Sequence, residues 1–202
     1  MAKGEQTRQA ILGQAFELAK TGGLVRLSIG RLAEATGLSK SGLFAHFGSK
    51  EALELAVIGE AARQFVEMVM APALHKPRGE PRVRALFERW LAWGSQPGGC
   101  FFVAAEAELD DRPGPARAAL VEACQDWLDA IATAARITVT EGQFRADLDV
   151  DQFAFEGYSI MLGFHAYQKF LRVDVSHDRA LKALDRLIAS ARAQRSPTPA
   201  RR

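Results

Sequence analysis

Cysteine is rare in this sequence of 202 residues, and the two that are present, Cys100 and Cys124, are too few for a disulfide framework or a structural zinc site. The four histidines are scattered along the chain, so none has the spacing of a metal ligand set. No apolar run reaches the ~18 residues of a membrane span, and the N-terminus does not have the basic and then apolar segments of a secretory signal. We therefore expect a cytoplasmic protein with reduced thiols, no metal or cofactor, and no membrane association.

Sustained alternation of apolar and polar residues, the pattern of half-buried strands, is also missing. The sequence contains no nucleophile elbow, phosphate-binding loop or arrangement that suggests a catalytic triad. Apolar residues make up 48% and charged residues 25% of the chain, which is typical of a globular protein with a real core. We therefore predict an all-α protein that is not an enzyme.

Basic residues are concentrated at the two ends of the chain, although the formal net charge is only +2. Residues 1–50 hold seven Lys or Arg against three Asp or Glu, and residues 192–202 hold four Arg and no acid. The charge distribution therefore favours contact with a polyanion near the N-terminus, whereas the total charge alone would not.

Apolar residues that recur with a helical period predict about nine helices, separated by glycine and proline signals. Two are short and lie between residues 28 and 48. The other seven are predicted at about 5–20, 49–70, 81–95, 100–109, 115–140, 150–172 and 174–193. Ala71-Pro72 is expected to end the helix that begins at Ser49, because proline has no N–H and clashes with the preceding turn.

Residues 27–53, LSIGRLAEATGLSKSGLFAHFGSKEAL, predict the two short helices and a tight turn between them. Ser28 and Ser39 can each cap a helix, and Gly37 supplies the positive φ that a sharp turn needs. Two apolar residues four positions apart on the second helix turn inward, which leaves a small polar face outward. This is the pattern of a helix-turn-helix, whose second helix enters the major groove of DNA.

The motif closely resembles that of the TetR family of bacterial transcriptional repressors. The residues that carry the resemblance are Gly37-Leu38-Ser39, Gly42-Leu43-Phe44, His46-Phe47, Ser49-Lys50-Glu51 and Leu53. The match covers about residues 5–55, while the rest of the chain matches in helix count and in the pattern around Gly98-Gly99-Cys100.

The resemblance implies a homodimer that binds a palindromic operator in double-stranded DNA and is released by a small-molecule effector in the C-terminal domain. A transcriptional activator with the same DNA-binding domain is an alternative hypothesis. We accordingly predict a DNA-binding domain over residues 1–50, a helical regulatory and dimerisation domain over residues 51–193, and a disordered tail over residues 194–202.

By position in the family motif, Lys40, Ser41 and Gly42 are expected to face base edges at the start of the recognition helix. Lys40 is the leading candidate, because a lysine can donate to guanine O6 and N7.

Contacts with the DNA backbone are expected from Ser28, Ser39, Phe44, His46 and Lys50. The two serines have an alternative role as helix caps, and His46 can equally be a solvated surface residue. Phe44 stands where Tyr is common in the family, so a hydroxyl contact is replaced by ring packing against sugar.

A ligand cavity is expected in the C-terminal domain, where most of the aromatic residues lie. Its candidate wall residues are Phe87, Trp90, Phe101, Phe102, Glu106, Trp127, Phe155, Tyr158 and Met161. Aromatic residues at helical spacing also build ordinary cores, so each has that alternative role. Glu106 stands out because a carboxylate in so apolar a helix needs a partner. A cationic or hydrogen-bonding ligand would provide one, and so would a salt bridge to Arg89 or another neighbour.

The resemblance also implies dimerisation through the last two helices, which would form a four-helix bundle with the partner's pair. The candidate interface residues are Phe153, Gly157, Ile160, Phe164 and Leu171 on one helix and Leu181, Leu184, Leu187 and Ile188 on the other. Some of these residues must instead face the subunit's own core.

Cys100 follows two glycines at the start of a predicted helix, where the helix N-terminus can lower a thiol pKa and favour redox sensing. Nothing basic lies beside it in the sequence, and a buried core thiol is the opposing hypothesis. Cys124 shares a helix face with Leu120 and Leu128, which favours a position in the core.

Overall fold

A computed structural model describes residues 3–193 of the chain, so the tail predicted over residues 194–202 lies outside the described residues. Its helices are α1 (Lys3–Gly22), α2 (Ile29–Thr36), α3 (Lys40–Phe47), α4 (Lys50–Phe65), α5 (Ala71–Leu74), α6 (Glu80–Gly94), α7 (Phe101–Leu109), α8 (Pro115–Thr140), α9 (Val150–His165) and α10 (Ser176–Ala191). A π-helical turn, Val66–Met70, joins α4 to α5, and a second one, Ala166–Phe170, extends α9. With α4 and α5 counted as one continuous helix, residues 3–193 contain nine helices, and the predicted all-α fold is confirmed.

The helix that begins at Lys50 does not end at Ala71-Pro72, and the prediction of a break there was wrong. In the π-helical turn the Ala71 N–H bonds to the Val66 carbonyl, five residues back. Pro72 then lies in the first turn of α5, where a missing N–H is tolerated. The helical rod therefore continues to Leu74.

The first three helices bury one face each against a shared core. Phe16 of α1, Leu32 of α2 and Leu43 of α3 are fully buried. Helix α4 packs against both α1 and α3, and its Leu53 and Val57 are fully buried as well. The first three helices are thus attached directly to α4, the long helix that leads into the rest of the molecule.

The remaining helices pack around a second group of buried side chains that is rich in aromatic rings. Helix α8 contacts α4, α6, α7 and α9, and α9 contacts α10. Trp90, Trp93, Phe87, Phe101 and Phe153 are all at most 2% exposed. Within residues 3–193 no helix is both long and apolar enough to cross a membrane.

Candidate DNA interface and effector cavity

Local side-chain caps fix the geometry of the helix-turn-helix. The Ser28 Oγ accepts a hydrogen bond from the Arg31 N–H at 3.2 Å, and the Ser39 Oγ accepts one from the Gly42 N–H at 3.1 Å. Between them Gly37 adopts φ +68°, in the left-handed region that favours glycine. The Gly37 N–H bonds to the Ala33 carbonyl and ends α2. These short-range contacts set the angle at which α3 leaves α2.

The outward face of α3 carries most of the residues predicted to contact DNA. Lys40, Ser41 and Gly42 are exposed at its first turn, and the Phe44 side chain is 57% exposed. The His46 side chain is half-buried on the same helix. The structure therefore leaves Lys40, Ser41, Gly42 and Phe44 accessible on α3, and His46 partly accessible.

The Ser28 hydroxyl remains able to donate to phosphate, whereas the Ser39 Oγ also forms a hydrogen bond with the Ser41 Oγ at 3.2 Å. A serine hydroxyl that accepts a backbone hydrogen bond still has its own proton to donate. A Cβ atom on Gly42 would lie 3.1 Å from the Ser39 Oγ, which is a tight contact. Glycine at this position therefore avoids a close contact with the capping Ser39 side chain. It also leaves the α3 backbone accessible to DNA.

Lys50 has an internal contact that sequence reasoning missed. Its Nζ donates to the Val25 carbonyl at 2.7 Å and lies 3.6 Å from the Glu54 carboxylate. An ammonium group has three N–H donors, so one remains for a phosphate. Lys50 thus supports the loop between α1 and α2.

The same loop is held from the other side by α7. The Glu108 carboxylate accepts a hydrogen bond from the Val25 N–H at 2.7 Å, and the Phe101 ring lies 5.6 Å from the Phe16 ring of α1. Sequence reasoning named Glu108 only as a polar group for the cavity and missed this contact, because nothing in the pattern of a short apolar helix indicates contact with a loop 83 residues away. Helix α7 therefore contacts both α1 and the loop that leads into the helix-turn-helix. We call α1, α2, α3 and this loop the DNA-reading unit.

A cavity of about 240 Å³ lies between α4, α6, α7, α8 and α9. Its lining residues are Ala62, Phe65, Val66, Met70, Trp90, Phe102, Ala123, Cys124, Asp126, Trp127 and Tyr158. Four predicted pocket residues, Trp90, Phe102, Trp127 and Tyr158, meet here. The residues contributed by α4 and the following π-helical turn were missed, because the apolar pattern of a connecting rod does not show which face borders a void.

Aromatic rings form the walls of this cavity. The Phe65 and Trp127 ring centroids are 4.9 Å apart with an interplanar angle of 83°, and Phe65 meets Phe102 at 5.5 Å and 80°. Trp90 lies 5.2 Å from Trp127 at 83° and 5.5 Å from Tyr158. Rings packed edge to face in this way are mutually stabilising and present their faces in different directions.

The other predicted pocket residues lie elsewhere. Phe87, Phe101 and Met161 are buried in the core without lining the cavity, and the Phe155 side chain is 64% exposed on α9. Glu106 lines an adjacent cavity of about 280 Å³, which shares Cys124 and Tyr158 with the aromatic one. The Glu106 carboxylate therefore lies at the wall between the two cavities.

The Glu106 carboxylate accepts hydrogen bonds from two neutral donors. Its Oε1 accepts hydrogen bonds from the Tyr158 hydroxyl and from the Cys124 thiol, the latter at 3.2 Å. Burial, together with the nearby Glu106 carboxylate, raises the pKa of the Cys124 thiol to about 12 and the pKa of Tyr158 above its usual range. Both groups therefore stay protonated and donate. Among the described residues Glu106 forms no salt bridge, so the alternative ion pair with Arg89 is not formed.

Cys100 is buried at the start of α7 and is 1% exposed. Burial raises the pKa of its thiol, although a backbone hydrogen bond at the helix start acts in the opposite direction. A protonated thiol without access to solvent is a poor nucleophile, so this geometry favours the core role over redox sensing. No group of three or more His, Cys, Asp or Glu within residues 3–193 is placed to hold a metal ion.

The predicted interface residues divide between the core and the surface. Those that are buried in the subunit's own core are Phe153, Gly157, Phe164, Leu184, Leu187 and Ile188. Ile160 and Leu181 are half-buried, and Leu171 is 52% exposed.

A different set of apolar side chains is exposed along α9 and its π-helical extension. The exposed fraction is 64% for Phe155, 38% for Leu162, 40% for Tyr167 and 85% for Phe170. Phe155 and Leu162 are seven residues apart and so share one helix face. We call the surface formed by Phe155, Leu162 and Phe170 the α9 face.

Family models match both parts of the chain. The model of bacterial regulatory proteins of the tetR family matches residues 11–57, and the model of the tetracyclin repressor-like C-terminal domain matches residues 79–184. A search among curated proteins found no significant match.

Similar solved structures cover almost the whole chain. A TetR transcriptional regulator from Chloroflexus aurantiacus is 26% identical with a TM-score of 0.86, covering 95% of this chain and 98% of that one. A protein from Saccharomonospora viridis solved with choline is 21% identical with a TM-score of 0.82 (95% and 100% covered). AibR, solved with isovaleryl coenzyme A and operator DNA, is 20% identical with a TM-score of 0.73 (91% and 98% covered). The C-terminal family model alone matches more than half of the residues of this chain. The chain therefore belongs to the TetR family of bacterial transcriptional regulators.

Proposed function

We propose that this protein is a homodimeric repressor that binds a palindromic operator through α3 and is released by a small molecule in the aromatic cavity. The observation that carries the proposal is the double contact of α7. Its Phe102 lines the cavity, while its Glu108 holds the Val25 N–H in the loop that precedes α2. One short helix thus joins the effector cavity to the DNA-reading unit.

In this proposal residues 1–50 act as the DNA-binding domain and residues 51–193 as the regulatory and dimerisation domain. Lys40, Ser41 and Gly42 face base edges, because they are exposed at the N-terminal turn of α3, which is the part of a recognition helix that approaches bases.

The sugar and phosphate contacts come from the residues around the base-reading turn. These are Ser28, Ser39, Phe44, His46 and Lys50, of which Phe44 offers only its exposed ring. Such contacts fix the register of the domain on the duplex and do not select a sequence. Base selection then depends on Lys40 and Ser41 and on the shape of the operator.

Related proteins support an effector that acts on DNA binding. AibR has been solved with a small molecule and operator DNA together, and the Saccharomonospora viridis protein has been solved with choline. The cavity described above is the corresponding candidate in this chain, since its walls are mainly apolar with a few polar groups, as those of small-molecule sites usually are.

The dimer is proposed to form through the α9 face. Exposed aromatic and aliphatic side chains on one helix face mark an interaction surface, and a two-fold dimer buries the same patch on both subunits. The outward side of α10 is mainly polar, with His177, Arg179, Lys182 and Arg186 exposed, so α9 is expected to form the centre of the interface.

The experiment is selection of bound duplexes from a random pool, followed by gel shift of the selected site at physiological salt. We expect a palindromic site, and we expect Lys40→Ala to reduce discrimination at one base pair of each half-site by roughly 5- to 150-fold. Lys182→Ala, which removes an exposed lysine from α10, is the matched control and should leave base preference unchanged.

Two results would contradict this assignment. Absence of any selected palindrome would refute operator binding by this chain, and an equal loss of affinity on all sequences in Lys40→Ala would refute base recognition by Lys40. A reporter gene with the selected site overlapping its promoter separates repression from activation, since a repressor lowers expression.

A further inference from the structure

We infer that the effector is a compact organic cation, whose ammonium group is held between the aromatic rings of the cavity and the Glu106 carboxylate. This inference rests on the proposed function, because it takes the aromatic cavity as the effector site. It goes further by assigning the charge and size of the ligand.

The first argument is the charge of the cavity. None of its lining residues is Lys, Arg or His, whereas Asp126 is exposed at its edge. Glu106 lies behind Tyr158 and Cys124, which both line the cavity and both donate to its Oε1. A ligand in this space therefore meets negative charge and no positive charge.

The second argument is that the Glu106 charge has no cation to balance it. Arg117 lines the adjacent cavity, but its guanidinium donates to the Asp110 carbonyl and forms no salt bridge with Glu106. Glu106 is half-buried, and the neutral donors to its Oε1 form hydrogen bonds without cancelling the charge of the carboxylate. A bound ammonium group would provide the missing counter-charge.

The third argument is the arrangement of rings. One cavity is lined by five aromatic rings from five different helices: Phe65, Trp90, Phe102, Trp127 and Tyr158. Cations are attracted to the faces of aromatic rings, most strongly to Trp, within about 6 Å of the ring centroid. Trp127 meets both Phe65 and Trp90 at nearly 90°, so the rings of the lining are oriented in different directions.

The volume of the cavity also limits the size of the ligand. The cavity volume of about 240 Å³ is below the roughly 300–1,000 Å³ of sites for drug-sized ligands. It accommodates a small amine with one ring, whereas a phosphate-rich or carboxylate ligand would find no cationic side chain in the lining.

The test uses three soluble probes of nearly equal size and different charge: benzylamine, which is a cation at neutral pH, benzyl alcohol and benzoate. Their affinities for the full-length protein are measured by calorimetry at pH 7, with quenching of tryptophan fluorescence as a second readout, since Trp90 and Trp127 line the cavity. We expect the cation to bind about 10- to 100-fold more tightly than the alcohol, and benzoate to bind most weakly.

The variant Glu106→Gln tests the role of the carboxylate. It should reduce the preference for benzylamine over benzyl alcohol to about threefold or less, while the alcohol binds as before. Glu122→Gln removes the same charge from the exposed side of α8 and should leave the preference unchanged. The comparison of probes on the unaltered protein needs no variant, so it remains decisive if Glu106→Gln fails to fold.

The outcomes separate the inference from the proposed function. Binding of the alcohol or benzoate as tightly as benzylamine would overturn the cationic ligand while leaving the cavity as an effector site. Binding of none of the three probes would overturn the inference, whereas operator selection tests DNA recognition independently. Release of the operator by benzylamine alone, abolished in Glu106→Gln, is the result that supports both.

Discussion

The hydrogen bond between the Val25 N–H and the Glu108 carboxylate, 2.7 Å long, is where α7 holds the loop that precedes α2. Glu108→Ala removes the acceptor and leaves a partly buried N–H without its protein partner. A hydrogen bond to a charged group contributes about 1.5–3 kcal/mol, and Val25 is only half-buried, so we expect a loss of about 2 kcal/mol. For a chain of this size that corresponds to a fall in Tm of about 4–8 °C.

The Gln variant separates charge from hydrogen bonding. Glu108→Gln keeps a neutral acceptor at the same place, so it should lose only about half as much stability as Glu108→Ala. Calorimetry gives the Tm, and amide hydrogen exchange reports on the Val25 N–H itself, which should exchange faster in Glu108→Ala. Glu122→Ala, an exposed acid on α8, is the control for loss of negative charge.

The functional consequence concerns coupling between the cavity and DNA. Effector binding should persist in Glu108→Ala, whereas the effect of the effector on operator affinity should fall from a typical 5- to 150-fold toward onefold. Unchanged exchange at Val25 together with unchanged Tm would refute the energetic role of this contact. Undiminished release of the operator by effector would refute α7 as the coupling element.

Two further predictions concern assembly and pH. Phe155→Glu on the α9 face should convert the proposed dimer to monomers in light scattering, whereas Leu74→Glu, at an apolar position on α5 that is 51% exposed, should not. A dimeric Phe155→Glu would contradict the proposed interface. Glu60 has a pKa lowered to about 2, mainly by the Arg63 hydrogen bond and also by Gln9. This stabilisation is present above the ordinary pKa and is lost as pH falls toward 2, so Glu60→Gln should cost about 1–3 kcal/mol at pH 7 but little at pH 2, as measured by denaturant unfolding.

The helix-turn-helix could be predicted residue by residue, because its determinants act within one turn of chain. Ser28 and Ser39 accept from N–H groups three residues ahead, and Gly37 needs only its own φ. Such short-range contacts do not depend on the rest of the fold. The family motif and the local physics therefore pointed to the same elements.

The cavity could be predicted only in part, because helical spacing shows that a side chain is buried and does not show what it faces. Trp127 and Phe87 both lie on apolar faces, yet Trp127 borders the cavity and Phe87 packs against Phe153. Phe155 has the same aromatic character and is largely exposed. The helix running through Pro72 was mispredicted for a related reason, since the π-helical turn that accommodates the proline has no signal in composition.

The two sides of helix α7 have different contacts, which the spacing of its apolar residues does not predict. Residues two apart on a helix point about 200° away from each other, so Glu106 and Glu108 face opposite sides although they belong to one apolar segment. Phe101 and Phe102, about 100° apart on the helix, also have different neighbours, Phe101 in α1 and Phe102 at the cavity. Because close-packed side chains transmit strain, we expect a ligand that displaces Phe102 to shift the nine-residue helix and with it the Glu108 carboxylate against Val25.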